Sequence, residues 1–377
     1  MLLIGIALST TLPYVSLYCT QDLGMSVSTF GVFMAVSRLS GVVVNSLIAR
    51  RSDGGLDRRW LIIYSMCASA IGYTSYLLSH NLLVLMLSVT LFNGLGAPAM
   101  PQMYAYARES AAAREFDDMT FAMSTLRSLL SLGFVLGPLA GTIILRLLGY
   151  KGLFLGTSII YAIIASLLLL FLPQRQAQGN MNRGSRERTS PLKNSQIRLP
   201  LVAFALLFAV NAVNMMNTPL FIVNDIHGTH MDVGLVTSVS AALEIPIMIA
   251  LGALARRISN HTLMIYGCLV AVLYYTVLSV SSHAWELIVA QLFQAAFVAI
   301  VMGNGLSYFT DLFPNSPGFA TTIYSNGSTI GMLIGSLGAG VMAQYAGFRS
   351  VYWACLAMVI LAFVVLWRSR PVVMEGE

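Results

Sequence analysis

Charge is scarce in this sequence, and three charged side chains sit inside long apolar runs: Arg38, Arg127 and Glu244. Charges at such depth are costly and usually functional. A carboxyl group in apolar surroundings holds its proton until a nearby cation draws it off, so Glu244 is the candidate proton carrier. Pro246, two positions on, weakens the local helix. Arg127 stays charged and presents a planar fork of donors. It suits sugar hydroxyls, a counter-charge to Glu244, or a structural ion pair. Amides form the second group. Asn211, Asn214 and Thr218 fall at i, i+3 and i+7, one helix face, beside Asn217. Gln291 and Gln294 repeat the pattern at i and i+3; Asn93 and Gln102 do so more weakly, and Tyr324 and Asn326 add an aromatic ring and an amide. Amides turned to lipid would cost several kcal/mol, so these must face a cavity or another helix. A cavity lined this way offers neutral hydrogen bonds and an apolar wall to a polar, uncharged ligand. Hydrogen bonds between helices are the other use of the same residues.

Other chemistries find little support. Cys19, Cys67, Cys268 and Cys355 are far apart, with neither metal nor disulfide spacing. The five histidines, His80, His227, His230, His261 and His283, fall near the ends of apolar runs, away from any relay. No glycine-rich nucleotide loop ending in Gly-Lys-Ser/Thr is present. The reading is therefore of a non-enzyme with no metal and no cofactor, driven by a gradient.

Composition defines the elements that position these residues. Of 377 residues, 57% are hydrophobic and 10% charged, against about 25% charged in an average soluble domain. A bilayer takes about 20 residues per helix. The apolar runs predict twelve transmembrane helices, over Leu2–Tyr18, Thr29–Ala49, Trp60–Ser79, Leu82–Ala107, Met119–Leu145, Gly152–Leu172, Leu201–Val223, Val233–Ala255, Thr262–Ser281, Trp285–Tyr308, Phe319–Tyr345 and Ser350–Trp367. The polar connection Pro173–Pro200, rich in Arg, Ser and Asn, reads as a flexible tether between residues 1–172 and 201–377.

The two halves repeat one another. Phe121-Ala122 returns as Phe319-Ala320 at a shift of 198 (319 − 121), carrying Gly133 onto Gly331, Gly137 onto Gly335, Gly149 onto Gly347 and Lys151 onto Arg349. Glycines four apart on one face let two helix backbones touch in lipid. Earlier landmarks, Pro13 with Pro219 and Arg50-Arg51 with Arg256-Arg257, repeat at 206 (219 − 13). The first half thus holds about eight extra residues (206 − 198), expected in the loop from Asp53 to Arg59. The net charge of +6 follows topology, not nucleic acid: with the N-terminus inside, sixteen basic residues lie on the inner side against Arg146, Lys151 and Arg349 outside. Positive charge stays inside, so both termini are expected in the cytoplasm.

A parallel repeat of two six-helix halves resembles the major facilitator superfamily. Ala49-Arg50-Arg51-Ser52-Asp53 with Asp57-Arg58-Arg59 resembles its loop motif of a small residue, an acid and a basic pair, and Gly137-Pro138 with Gly141 resembles the glycine-proline motif of its exporters. On that likeness Asp53, Arg58, Arg59 and Asp311 are the expected gating residues. Further runs are similar to the bacterial sugar efflux transporters: Ala99-Met100-Pro101-Gln102 with Ala107-Arg108-Glu109, Leu126-Arg127, Pro219-Leu220-Phe221-Ile222, Leu243-Glu244-Ile245-Pro246, Tyr308-Phe309 with Asp311-Leu312, and Ala320-Thr321-Thr322 with Tyr324 and Asn326. Arg38 departs from that pattern. The resemblance implies an all-α integral membrane protein of two pseudo-symmetric bundles, a monomer in the inner membrane of a bacterium. It implies export of sugars or glycosides in exchange for protons, with substrate, protons and lipid as its partners. A drug or amphiphile exporter on the same fold is the alternative, favoured by 20 Met.

Overall fold

A computed structural model of the chain describes residues 1–52, 57–78, 81–112, 119–173, 195–254, 257–313 and 317–369. Every element among them is helical. Eleven helices are long and apolar enough to cross a membrane. The longest, Ala122–Phe171, has 50 residues; at 1.5 Å per residue it is about twice as long as a bilayer core is thick. It is two spans, because Gly149 interrupts it with φ 65° and ψ −170°. Counted so, the helices number twelve, as expected.

In chain order they are α1 (Leu2–Asp22), α2 (Val27–Ser52), α3 (Arg58–Leu78), α4 (Leu82–Ser110), α5 and α6 (Met119–Phe171, divided at Gly149), α7 (Ser195–Asn224), α8 (His230–Leu254), α9 (Asn260–Val280), α10 (Ala284–Leu312), α11 (Pro317–Ala346) and α12 (Phe348–Arg368). The chain divides into two compact units, Met1–Asn182 and Arg183–Glu377. Helix α7 already begins at Ser195, ahead of the expected start at Leu201, and carries Pro200 in its first turns.

The repeated glycines do what their spacing predicts. A Cβ on Gly133 would lie 2.7 Å from the Gly5 Cα and from the Leu2 carbonyl oxygen, and one on Gly137 would strike the Ser9 hydroxyl. In the second unit a Cβ on Gly331 would meet the Ala205 carbonyl and the Phe208 Cβ at 2.8 Å, and one on Gly335 would sit 2.8 Å from the Ala209 Cα. Thus α1 packs backbone-close on α5, and α7 on α11. Ser9 donates to the Gly133 carbonyl at 3.0 Å across the first contact. Gly149 and Gly347 both take left-handed backbone, φ 65° and 82°, which only glycine adopts at little cost. They turn α5 into α6 and α11 into α12 without a loop.

A third register joins the halves. Arg58 ties α3 to α4 through Glu109, and Asn260 ties α9 to α10 through Asp311. The shift is 202 for both residues (260 − 58 and 311 − 109). The extra residues of the first half therefore do not sit in one loop. They divide equally (206 − 202 and 202 − 198) between the segments 52–57 and 110–120.

Candidate functional site

The polar residues gather at two depths within each unit. In the first unit the loop end of α3 and α4 is held by a three-residue clasp. Arg58 Nε donates to Glu109 Oε1 at 2.8 Å, and an η nitrogen donates to Gln102 Oε1 at 2.7 Å. Gln102, expected as a substrate ligand, is buried and spends its carbonyl on this arginine. Arg59, expected with Arg58 as a gate, donates to the Leu169 carbonyl at 2.5 Å and lies 5.7 Å over the Trp60 ring. Asp53, the expected acid of the loop motif, lies outside the described residues. Asn93 is exposed on α4 and donates to Ser37 of α2 at 3.1 Å. Arg38 is half-buried on α2 and Arg127 exposed on α5.

In the second unit the amides form one buried network across four helices. Asn214 Oδ1 on α7 accepts from the Tyr274 hydroxyl of α9 at 3.0 Å and from Thr218 at 2.8 Å. Thr218 also bonds the Tyr352 hydroxyl of α12 at 3.0 Å. Gln291 of α10 stands beside the Tyr274 hydroxyl and returns its amide to the Leu287 carbonyl at 2.9 Å. Asn217 donates to the Phe348 carbonyl at the start of α12 at 2.9 Å. The bonded partners of Asn214, Asn217 and Gln291 lie inside their own half, the helix-binding use of such amides.

Two acceptors in this region remain open. Gln294 Oε1 and Asn217 Oδ1 are buried without a hydrogen-bond partner, a costly state that a ligand donor or water would relieve. Asn211 is half-buried one turn from Asn214. On α11, Asn326 is exposed, while Tyr324 donates to the Met302 carbonyl at 3.1 Å. Glu244 is half-buried on α8, a helix that contains Pro246. Asp311 is exposed and accepts from Asn260 Nδ2 at 2.7 Å.

Some residues that matter carry no signal in a linear reading. Tyr274 and Tyr352 are wholly buried, but in the sequence they resemble any tyrosine in an apolar run. Arg349, counted as an outer-side charge, donates to the Ser279 and Ser281 carbonyls at 3.0 and 2.8 Å and closes the end of α9. Glu286 caps the start of α10: it accepts from the Ser282 and His283 amides at 2.7 and 3.2 Å. Among the described residues no group of His, Cys, Asp and Glu is arranged to hold a metal ion.

Known proteins share this organisation. A sequence model of the Major Facilitator Superfamily matches residues 1–286 and 203–376. The chain is 30% identical to sugar efflux transporter A of Dickeya chrysanthemi over 371 residues, covering 98% of this chain and 94% of the relative. It is 29% identical to sugar efflux transporter A of Escherichia coli K12 over 373 residues, covering 98% and 94%. Among solved structures it is similar to the nucleoside transporter NupG, with a TM-score of 0.84 over 98% of this chain and 96% of that one; at 13% identity that likeness speaks for the fold alone.

Proposed function

Because the chain belongs to the Major Facilitator Superfamily, and is a multi-pass membrane transporter rather than an enzyme, we propose that it exports sugars or glycosides by proton antiport with alternating access. The observation that carries this reading is the match to sugar efflux relatives over 98% of the chain. The chemistry agrees with it. A substrate rich in hydroxyls needs neutral donors and acceptors beside an apolar wall. Gln294 and Asn217 keep a buried acceptor open, and Asn211, Asn326 and Arg127 are at least partly accessible. We assign substrate contact to these and to Asn93 and Tyr324. Asn214 and Gln291 brace the second unit through the bonds described above, and Gln102 braces the first through Arg58.

Glu244 is assigned the exchanged proton, with Arg127 as the fixed charge that biases its release. Arg58, Arg59, Asp53 and Asp311 are assigned to gating. The excess of basic residues on one side supports a cytoplasmic position for both termini, and we assign the protein to the inner membrane of a bacterium as a monomer.

Counterflow in proteoliposomes tests the assignment: labelled neutral sugars and a cationic dye are followed with and without a pH gradient. Sugar exchange accelerated by the gradient is expected. Dye movement without sugar movement would replace the carbohydrate reading with amphiphile export.

A further inference from the structure

We infer that Asn260 sets how easily the cytoplasmic end of α10 moves, and with it the rate of turnover. This rests on the transporter reading above. The two halves carry one clasp, written in different chemistry. At the shift of 202, Arg58 corresponds to Asn260, Gln102 to Asn304, Tyr106 to Tyr308 and Glu109 to Asp311. In the first half a guanidinium reaches both acceptors, at 2.8 and 2.7 Å. In the second, the shorter Asn260 reaches only Asp311, at 2.7 Å. Asn304 makes no bond to Asn260, and its buried amide nitrogen has no hydrogen-bond partner. One clasp is an ion pair with an added bond; the other is a single bond from a neutral amide. Both carboxylate bonds are charge-assisted; the first clasp adds a cationic donor and a second bond to Gln102, so it holds its helix at two points and the other at one.

The helices they hold are also broken at the same place. Helix α4 turns at Ala97 and Pro98, leaving Ala99–Ala112 below the break. At the same shift α10 carries a π-helix over Ala299–Gly303, leaving Asn304–Leu312 below it. Single π-turns inside α-helices are local weak points that recur at functional sites. Both halves therefore have a hinged lower segment pinned to the preceding helix, and the pin is weak only in the second. An alternating-access carrier must open its cytoplasmic side in each cycle. The segment with the weaker pin is the one that yields, and the cation missing at position 260 keeps it ready to do so.

Amide hydrogen exchange on the full-length protein reads this without any substrate. Segment 304–312 is expected to exchange about tenfold faster than segment 99–112, the ratio for a difference of about 1.4 kcal/mol. Asn260→Arg supplies the missing cation. It is expected to slow exchange in 304–312 and to lower the maximal counterflow rate of labelled sugar by a similar factor, leaving half-saturation unchanged. Adding Asp311→Asn should reverse both effects, and Asn260→Ala, the variant to use if the arginine is not tolerated, should speed exchange. Equal protection of the two segments in the unsubstituted protein would overturn the inference. So would an Asn260→Arg protein with a stiffened segment and an unaltered counterflow rate. If no sugar moves through the unsubstituted protein, the carbohydrate reading fails while the exchange data still decide the clasp.

Discussion

Glu244 is the residue to which we assign energy coupling. It is half-buried on α8, in a chain whose apolar spans hold few other carboxylates to share the task. A group carrying one proton per cycle must be able to charge and discharge; glutamine keeps the shape and loses that ability. Glu244→Gln is therefore expected to retain sugar exchange at equal pH on both sides and to lose acceleration by a pH gradient. Counterflow with and without the gradient checks this, and gradient-driven efflux at the normal rate would remove Glu244 from the proton path. The amides teach a different lesson. Spacing puts Asn211, Asn214 and Thr218 on one face and Gln291 with Gln294 on another, but a face has two possible neighbours. The hydroxyls of Tyr274 and Thr218 claim Asn214, the Phe348 carbonyl claims Asn217 and the Leu287 carbonyl claims Gln291, all within the half. Gln294, one turn from Gln291, keeps its acceptor open. Nothing in the linear order separates these neighbours, because Tyr274 and Phe348 arrive from helices dozens of residues away.

At the scale of elements, the glycine pairs decide which helices touch. The backbone of α7 lies so close to α11 that a methyl group on Gly331 would strike the Ala205 carbonyl, while one on Gly338 of the same helix would meet nothing within 4 Å. Overpacking of this kind costs about 1–3 kcal/mol. Gly331→Ala is expected to lower the unfolding midpoint in detergent by several degrees, and Gly338→Ala to leave it unchanged or slightly raised by helix propensity. Equal midpoints for the two variants would argue against a backbone-close contact. Gly133 makes the same demand on α1, so the repeat is a repeat of packing as well as of letters. Helix boundaries were legible to within a few residues because lipid forces each span to be apolar. The join expected between Leu145 and Gly152 is made by Gly149 alone, without a loop.

For the whole molecule, the internal repeat predicts two bodies that each complete their own fold. The chain divides into the compact units Met1–Asn182 and Arg183–Glu377, and Asn214, Ser9 and Arg58 make their bonds within their own half. Two chains ending and starting at that division, expressed together, should assemble and support sugar counterflow. Accumulation only when the halves are covalently joined would refute their independence.

Composition, periodicity and the repeat were enough to establish twelve spans, the pairing of halves and the candidate polar residues, since a bilayer imposes apolar length and the chain must write it out in order. What only the tertiary structure decided was the partner of each polar group. Arg58 chose Glu109 and Gln102, Arg349 chose the end of α9, and Asn260 proved to stand where an arginine stands in the other half. Hydrogen bonds reach about 3 Å, and which groups come within that distance is determined by packing between helices, a property that no stretch of sequence contains by itself.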